Sequence, residues 1–561
     1  MSADSVQSKV ASAILNALEL AKKSGLINCQ TPGQIILDRP KNRDHGDYAT
    51  SIALTLAKAA NLQPRVIAEM IIKTLNENNL LESAGISKVE IAGPGFINIT
   101  LEGASQASVV IEILSAGKKY GQGQSLAGKK INLEFVSANP TGPIHLGHTR
   151  WAAVGDSLGR VLSAAGAQVS REFYINDRGN QMDLFGQSLR AAALGIDRPE
   201  NGYHGEYIAD LANEITKANP EFTKLDEDAG IVAFREAGYK LQLDLQREVL
   251  ENFGTHFDTW FSERSLYENN FFNHTLDKLK SNGHVYEEEG AVWLRTTDFG
   301  DDKDRVMIKS DGSFAYFASD SAYYISKRER GFNLCIYMLG ADHHGYVNRL
   351  RAVAACAGDD PDKNVEVLIG QLVKMLKNGQ EVRLSKRAGN IITLEDLVDE
   401  VGVDAARYTL TRYPVDTPLT LEIDLLTSHT NDNPVFYVQY AHARIAAVIR
   451  SAQEKGIDWQ KNKFNPAALV TEQEAELLGA LSEFPRIVSS AAQLRQPHRV
   501  ARYLEELATA YHSFYSACRV LPLVGEPVTD ETIARLVLCA ATKQVVKNGL
   551  DLLGVSAPEK M

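Results

Sequence analysis

Apolar residues recur at helical spacing from Val6 to Leu20, and again through "PRVIAEMIIKTLNE", where the fixed φ of Pro64 suits a first helical turn. Between and after these, "GQIILD" predicts a strand, "HGDYATSIALTLAKAA" a turn and then a helix, and "KVEIAGPGFINITL" two short strands about a Pro-Gly turn. Residues 1–118 are therefore expected to form a small α/β domain. From Lys130 the pattern turns β-α-β. "INLEFVS" predicts a strand, "HTRWAAVGDSLGRVLSAAG" a helix with Trp151, Gly155, Leu158, Leu162 and Ala165 along one face, and "QVSREFYIND" the next strand. Such alternation implies a doubly wound parallel sheet, and these sheets bind ligands beyond the carboxyl ends of their strands. Residues from about 190 to 250 read as a largely helical insertion, "VYEEEGAVWLRTTDFGDDKDRVMIKSDGSFAYFASD" as strands and turns, and "FNLCIYMLGAD" as a buried strand. After about Thr427 helical patterns take over, at Val435–Gln453, Glu472–Leu494, His498–Cys518 and Asp530–Leu553, with Pro434, Pro466, Pro497 and Pro527 between them. The expected architecture is an α/β chain: a parallel-sheet domain over 119–426, flanked by the N-terminal α/β domain and by an all-α bundle over 427–561.

Composition narrows this only slightly. The chain is 44% hydrophobic and 23% charged, ordinary for a soluble protein. No apolar run approaches the ~18 residues of a membrane helix, and the polar N-terminus lacks the apolar stretch of a signal peptide. The five cysteines are scattered without a CxxC pair, which argues against structural zinc and a disulfide framework. A cytoplasmic location is expected. The net charge of −12 disfavours bulk, sequence-blind nucleic-acid binding and leaves room for a local basic track.

The chemistry gathers in "EFVSANPTGPIHLGHTR", where a strand ends, turn-formers follow and a helix begins. His145 and His148 stand three residues apart, so both imidazoles can face one ligand. A helix start offers free N–H groups and partial positive charge, which favour an anion, and Gly147 lets a planar group approach the backbone. The alternative is a helix start with two surface histidines. "YGQGQSLAGKK" nearly matches a P-loop, but Lys130 replaces the Ser or Thr and a strand follows instead of a helix, so phosphate binding is not expected there. A second basic segment, "VRLSKRAGN", places Ser385 and Lys386 where a point charge could meet a leaving phosphate. Adjacent His343 and His344 would point in different directions on any regular element and make a poor metal pair, and no metal-ligand motif is found.

"HLGH" and "RLSKR" resemble the two signatures of class I aminoacyl-tRNA synthetases, with Arg383 and Arg387 replacing the outer residues of the second. "REFYINDRGNQMDLFG", "HGEYIADLANE", "KSDGSFAYFASD", "GADHHGY", "NPVFYVQYAHARI" and "GLDLLGVSAPEKM" extend the likeness in order along the chain to the arginyl-tRNA synthetase family. The resemblance implies a Rossmann-like catalytic domain, ATP with Mg²⁺, L-arginine and tRNA(Arg) as partners, tRNA-dependent activation and a monomeric protein. It implies His145, His148 and Lys386 as catalytic groups, with Pro140, Gly142, Gly147 and Ser385 also at ATP. For arginine it implies Glu134, Ser137, Asn139, His148, Glu263, Tyr316, Asp320 and His343. Carboxylates are the natural partners of a guanidinium fork, which gives Glu263 and Asp320 the sharpest expectation. Phe96 and Asn98 would meet the tRNA elbow, and Tyr437, Tyr440 and Arg444 the anticodon side. Other readings are the cysteinyl synthetase, which usually carries zinc-binding cysteines that this chain lacks, a non-catalytic tRNA-binding paralogue, and a small-molecule nucleotidyltransferase.

Overall fold

The computed structural model describes residues 6–40, 43–268, 270–343, 345–382 and 392–561. Ser385 and Lys386 lie outside the described residues, as does His344.

In the N-terminal unit, α1 (Val6–Lys23), α2 (Ile52–Ala60) and α3 (Pro64–Glu77) pack with β1 (Tyr48–Thr50), β2 (Ile86–Ala92) and β3 (Phe96–Leu101). The sheet is antiparallel in the order β1-β3-β2. Ile14, Leu18, Ile67, Ile71, Ile97 and Ile99 belong to a core of its own. The strand expected at "GQIILD" does not form: only Asp38 pairs, in an isolated bridge with Ala49. Its alternation is real, since Ile35 and Leu37 are buried and Ile36 is exposed, but β1 is too short to offer a ladder.

The middle unit runs β4 (Lys130–Glu134), α4 (Leu146–Ala164), β5 (Gln168–Ile175), then α5 (Asn180–Leu194), α6 (Glu206–Ala218) and α7 (Glu227–Asn252) before β6 (Thr259–Ser262). A small antiparallel sheet, β7 (Val285–Glu288), β8 (Ala291–Leu294) and β9 (Arg305–Ile308), leads into α8 (Tyr316–Glu329). β10 (Leu334–Gly340), α9 (Tyr346–Cys356) and β11 (Val365–Gly370) complete a five-stranded parallel sheet in the order β11-β10-β4-β5-β6. α8 corrects the expectation of strands and turns through "AYFASD". Its aromatic and small residues are buried on most sides, which hides the helical period.

Glycine lets α4 lie close to the sheet. A Cβ at Gly155 would fall 2.3 Å from the Phe135 ring. Gly155→Ala is expected to destabilise the chain by about 1–2 kcal/mol, overpacking outweighing the gain in helix propensity. Urea unfolding measures it, and an unchanged midpoint would show that Phe135 moves aside freely.

β12 (Val373–Lys377) and β13 (Gln380–Glu381) precede the undescribed 383–391 segment, and α10 (Leu394–Val401) and α11 (Val403–Thr411) follow it. The last strand, β14 (Leu419–Glu422), gives way to α12 (Pro434–Glu454), α13 (Glu472–Ser482), α14 (Phe484–Gln493), α15 (His498–Ala517) and α16 (Asp530–Leu553). The single helix expected over Glu472–Leu494 breaks at Glu483, because Pro485 suits only the first turn of a new helix. Buried Arg407 joins the units: it donates to Asp156 on α4 at 2.6 Å and to the Leu553 carbonyl of α16 at 3.0 Å.

Candidate active site

β4 and β10 are neighbours, but the connection after β4 runs to β5 and that after β10 to β11, on opposite sides. A crevice opens where connections diverge in this way, beyond the carboxyl ends of the strands. The chain leaves β4 with φ of 67° at Val136 and 43° at Ser137. Positive φ at a β-branched residue is strained, and such strain persists only where surrounding structure holds it. Here Ser137 Oγ accepts from the Tyr174 N–H at 3.1 Å and donates to Glu134 Oε1 at 3.3 Å. The turn beyond is held by the helical insertion. Gln246 Nε2 donates to the Asn139 and Gly142 carbonyls at 2.9 and 2.7 Å, and the Tyr207 hydroxyl to the Thr141 carbonyl at 3.0 Å. Pro140 is buried in this turn, whereas Asn139 is exposed and bonds Gln181.

His145 is the N-cap of α4, its Nδ1 accepting from the Gly147 N–H at 3.1 Å. An accepting Nδ1 puts the proton of the neutral ring on Nε2, leaving that edge as a donor. The His148 ring centroid lies 3.8 Å from that of His145. Burial lowers the pKa of both rings, and for His148, where nearby His145 adds to it, the value falls to about 3. Both imidazoles are thus neutral near pH 7, and His148 Nδ1 is buried with no hydrogen-bond partner. A Cβ on Gly147 would sit 2.9 Å from His145 Cε1, so glycine preserves the cap.

The residues directly after the undescribed segment are stitched to this turn. Leu146 N–H donates to the Ile392 carbonyl and Leu394 N–H to the Ile144 carbonyl, both at 2.8 Å, and His145 bridges Thr393. On its other side, Val382 N–H bonds the Met375 carbonyl at 2.9 Å. Ile392, Thr393 and Leu394 thus lie against the histidine turn.

An acidic recess gathers at the carboxyl ends of β4, β5 and β6. Glu134, Glu263 and Asp320 all raise the pKa of Tyr174, after burial itself, so the three carboxylates face one phenol. Glu263, which begins the turn after β6, takes hydrogen bonds from Ser319 and Tyr174, yet burial holds its carboxyl above the usual range. Asp320, on α8, accepts from the Tyr346 hydroxyl. Burial pushes its carboxyl up to about 7, with Glu263 and Glu134 adding to the rise and Tyr346 and Arg349 opposing it. Glu134 already has a cation: the buried Lys327 ammonium sits 2.5 Å from its Oε2. Arg178 faces Glu263 and Arg349 faces Asp320, yet both carboxyls stay raised, so a guanidinium bonded directly to them would hold them ionised.

This has a signed pH consequence. A guanidinium pairs with the ionised Asp320, so arginine affinity should be full above pH 7 and fall by up to about tenfold per unit below it. Calorimetry across pH checks this. A dissociation constant flat through pH 7 would contradict a direct contact with Asp320.

Tyr316 opens α8 and is 80% exposed, and His343 sits at the exposed rim with its ring edge-on to Tyr346. Sequence reasoning missed Tyr174, Tyr346, Arg349 and Lys327. "GADHHGY" contains Tyr346 but says nothing of its partner on α8. Away from the crevice, Phe96 is exposed on β3, and Asn98 shares its face while Ile97 and Ile99 face the core. Tyr437, Tyr440 and Arg444 lie along α12. The Arg444 guanidinium covers the Tyr440 and Tyr515 rings at 4.5 and 5.1 Å, and the Tyr437 hydroxyl meets Thr509 at 3.2 Å.

A five-stranded parallel sheet whose central strand leads into a histidine-capped helix is the core of a class I aminoacyl-tRNA synthetase. Family models match successive parts of the chain: arginyl tRNA synthetase N terminal domain over residues 5–101, tRNA synthetases class I (R), catalytic domain over 109–413, and DALR anticodon binding domain over 438–561. The chain is 52% identical over 552 residues to the arginine–tRNA ligase of Renibacterium salmoninarum, covering 98% of each. It is 52% identical over 556 residues to that of Paenarthrobacter aurescens, covering 99% of each. A Campylobacter jejuni arginyl-tRNA synthetase structure matches with a TM-score of 0.75 at 34% identity, over 82% of this chain and 100% of that one. The Thermus thermophilus arginyl-tRNA synthetase, 21% identical, shares the fold with a TM-score of 0.74 over 98% and 99% of the two chains. The chain belongs to the arginyl-tRNA synthetase family. Among the described residues no helix is long and apolar enough to cross a membrane.

Proposed function

We propose that the chain joins L-arginine to tRNA(Arg) in two steps within the β4–β10 crevice. An oxygen of the arginine carboxylate attacks the α-phosphorus of ATP, the α–β phosphoanhydride bond breaks and pyrophosphate leaves, giving arginyl-adenylate. The 2′-hydroxyl of the terminal adenosine of tRNA then attacks the arginyl carbonyl and gives up its proton, and AMP leaves. Neither step needs an enzyme nucleophile, so the protein's task is placement and charge stabilisation. What supports this reading is the acidic recess at the carboxyl ends of β4, β5 and β6, in the same sheet whose central strand β4 leads into the neutral histidine pair.

Glu263 and Asp320 take the guanidinium. Ser137 and Asn139 receive the α-amino and carboxylate end, with Glu134 acting beside Lys327, and His148 reaches both substrates. Tyr316 and His343 form the rim. His145 and His148 donate to the phosphate as charge develops, and the turn of Pro140 and Gly142 with Gly147 admits the nucleotide. Ser385 and Lys386 stabilise departing pyrophosphate. No group of three or more metal-ligating side chains occurs among the described residues. Mg²⁺ accompanies the ATP phosphates as part of the substrate. Phe96 and Asn98 meet the tRNA elbow by stacking and hydrogen bonding, and the Tyr437, Tyr440 and Arg444 platform meets the anticodon arm. A monomer suffices for all of this.

The test is charging of tRNA with labelled arginine by the purified chain, expected to require ATP. ATP–pyrophosphate exchange is expected to need tRNA as well. Folded protein that charges no tRNA with arginine would sink the reading, and full exchange without tRNA would remove its tRNA-dependent first step.

A further inference from the structure

Two carboxylates stand side by side on the sheet with different surroundings. Glu134 on β4 pairs in register with Glu172 on β5. Glu172 is fully buried, and its own neighbours close both of its oxygens: the two arms of Arg330 donate at 2.5 and 3.0 Å and the Tyr323 hydroxyl at 2.7 Å. That is the pattern of an ion pair that holds the fold together. Glu134 is left open. Among the described residues its Oε2 takes the Lys327 ammonium at 2.5 Å, and its Oε1 takes only the Ser137 hydroxyl, at 3.3 Å. Its side chain keeps 11% of its surface, and its charge reaches Tyr174 together with those of Glu263 and Asp320.

Lys327 has no exposed side-chain surface. A buried ammonium is costly unless it is paired. Besides Glu134, the Tyr323 and Tyr337 rings hold it, with centroids 4.2 and 3.9 Å from Nζ. It follows Asp320 by seven residues on α8, so the two lie on one side of the helix, two turns apart. One helix thus carries a carboxylate of the recess and the cation that anchors another.

We propose that Lys327 is a positioning residue for the α-ammonium of arginine: by holding Oε2 of Glu134 it aims Oε1, beside Ser137, at that ammonium. This rests on the reading above, which sets the α-amino end at the Ser137 turn. A carboxylate anchored through one oxygen has a fixed plane, and its other oxygen becomes a directed acceptor. Lys327 itself touches no substrate. Bulk charge works in the opposite sense, since removing an ammonium makes the recess more negative and would tighten every cationic ligand. Positioning and bulk charge therefore differ in sign.

The test is calorimetry on the full chain with arginine and with 5-guanidinopentanoate, which lacks only the α-amino group. The ratio of the two affinities isolates the α-ammonium contact. Lys327→Met is expected to lower that ratio about tenfold or more, with 5-guanidinopentanoate bound as well as before or better. A packing defect would weaken both ligands and leave the ratio alone. Lys327→Met strands a buried carboxylate, so Glu134→Gln/Lys327→Met, which removes both charges and keeps the fold, completes the set with Glu134→Gln alone. Because Lys327 acts through Glu134, the ratio in the double variant should equal that of Glu134→Gln. An unchanged ratio in Lys327→Met, tighter arginine binding there, or a double variant whose ratio falls below that of Glu134→Gln would each overturn the proposal and leave the placement of arginine standing. An unchanged ratio in Glu134→Gln would instead refute that placement of the α-amino end, and the proposal with it.

Discussion

Asp320→Asn is expected to weaken arginine binding about 100-fold, the loss typical when one partner of a buried, charge-assisted pair is removed. The same change should not lower the melting temperature of the free protein at pH 8. The folded Asp320 carboxyl is raised from 3.8 to about 7, chiefly by burial. A raised carboxyl contributes stability below its unfolded value and loses that contribution as pH rises through the folded value. At pH 8 the ionised, buried side chain is a burden on the empty protein, and asparagine removes it. Affinity and stability then move independently, which a simple packing defect would not produce. Calorimetry with thermal unfolding reads both. Unchanged arginine affinity would take Asp320 out of the recess, and a parallel collapse of both would make it a structural residue.

His148→Ala is expected to lower kcat for tRNA-dependent ATP–pyrophosphate exchange by about 10²–10³, the usual cost of losing one preorganised donor to developing phosphate charge. The ring is neutral at working pH because burial and His145 depress its pKa to about 3. Its effect is therefore that of a directed N–H, and the rate should show no titration of this ring near neutrality. His148→Gln, which can place an amide donor in the same region, should recover part of the loss. Because His148 also reaches the arginine, affinity for it should fall too, by less than kcat does. A KM effect alone, with kcat intact, would reduce His148 to a ground-state contact.

The histidine turn could be read from residue order because its signals are local. "ANPTGP" marks the strand exit, and a three-residue spacing decides the shared face once a helix follows. Three strands of the parallel sheet, β4, β5 and β10, were legible from their apolar runs, whereas the edge strands β6 and β11 were not. The surroundings of Asp320 were not legible either. Its hydroxyl partner, Tyr346, is 26 residues away, and its acidic neighbour Glu263 comes from the other side of the small antiparallel sheet. Nor could Tyr316, four residues earlier, be known to point into solvent before α8 was known to be a helix. The strand expected at "GQIILD" failed because alternation reports which side chains are buried and not whether a neighbouring strand exists. Gln246 carried no sequence signal at all. Its role as the clamp of the nucleotide turn depends on the packing of α7 against a turn about 100 residues earlier.

The most direct test of the central claim is a crystal structure with a non-hydrolysable arginyl-adenylate analogue. The account predicts the guanidinium between Glu263 and Asp320 and the phosphate mimic within hydrogen-bond reach of His145 and His148. An analogue whose guanidinium lies away from both carboxylates, or whose phosphate mimic is out of reach of the histidine pair, would contradict it.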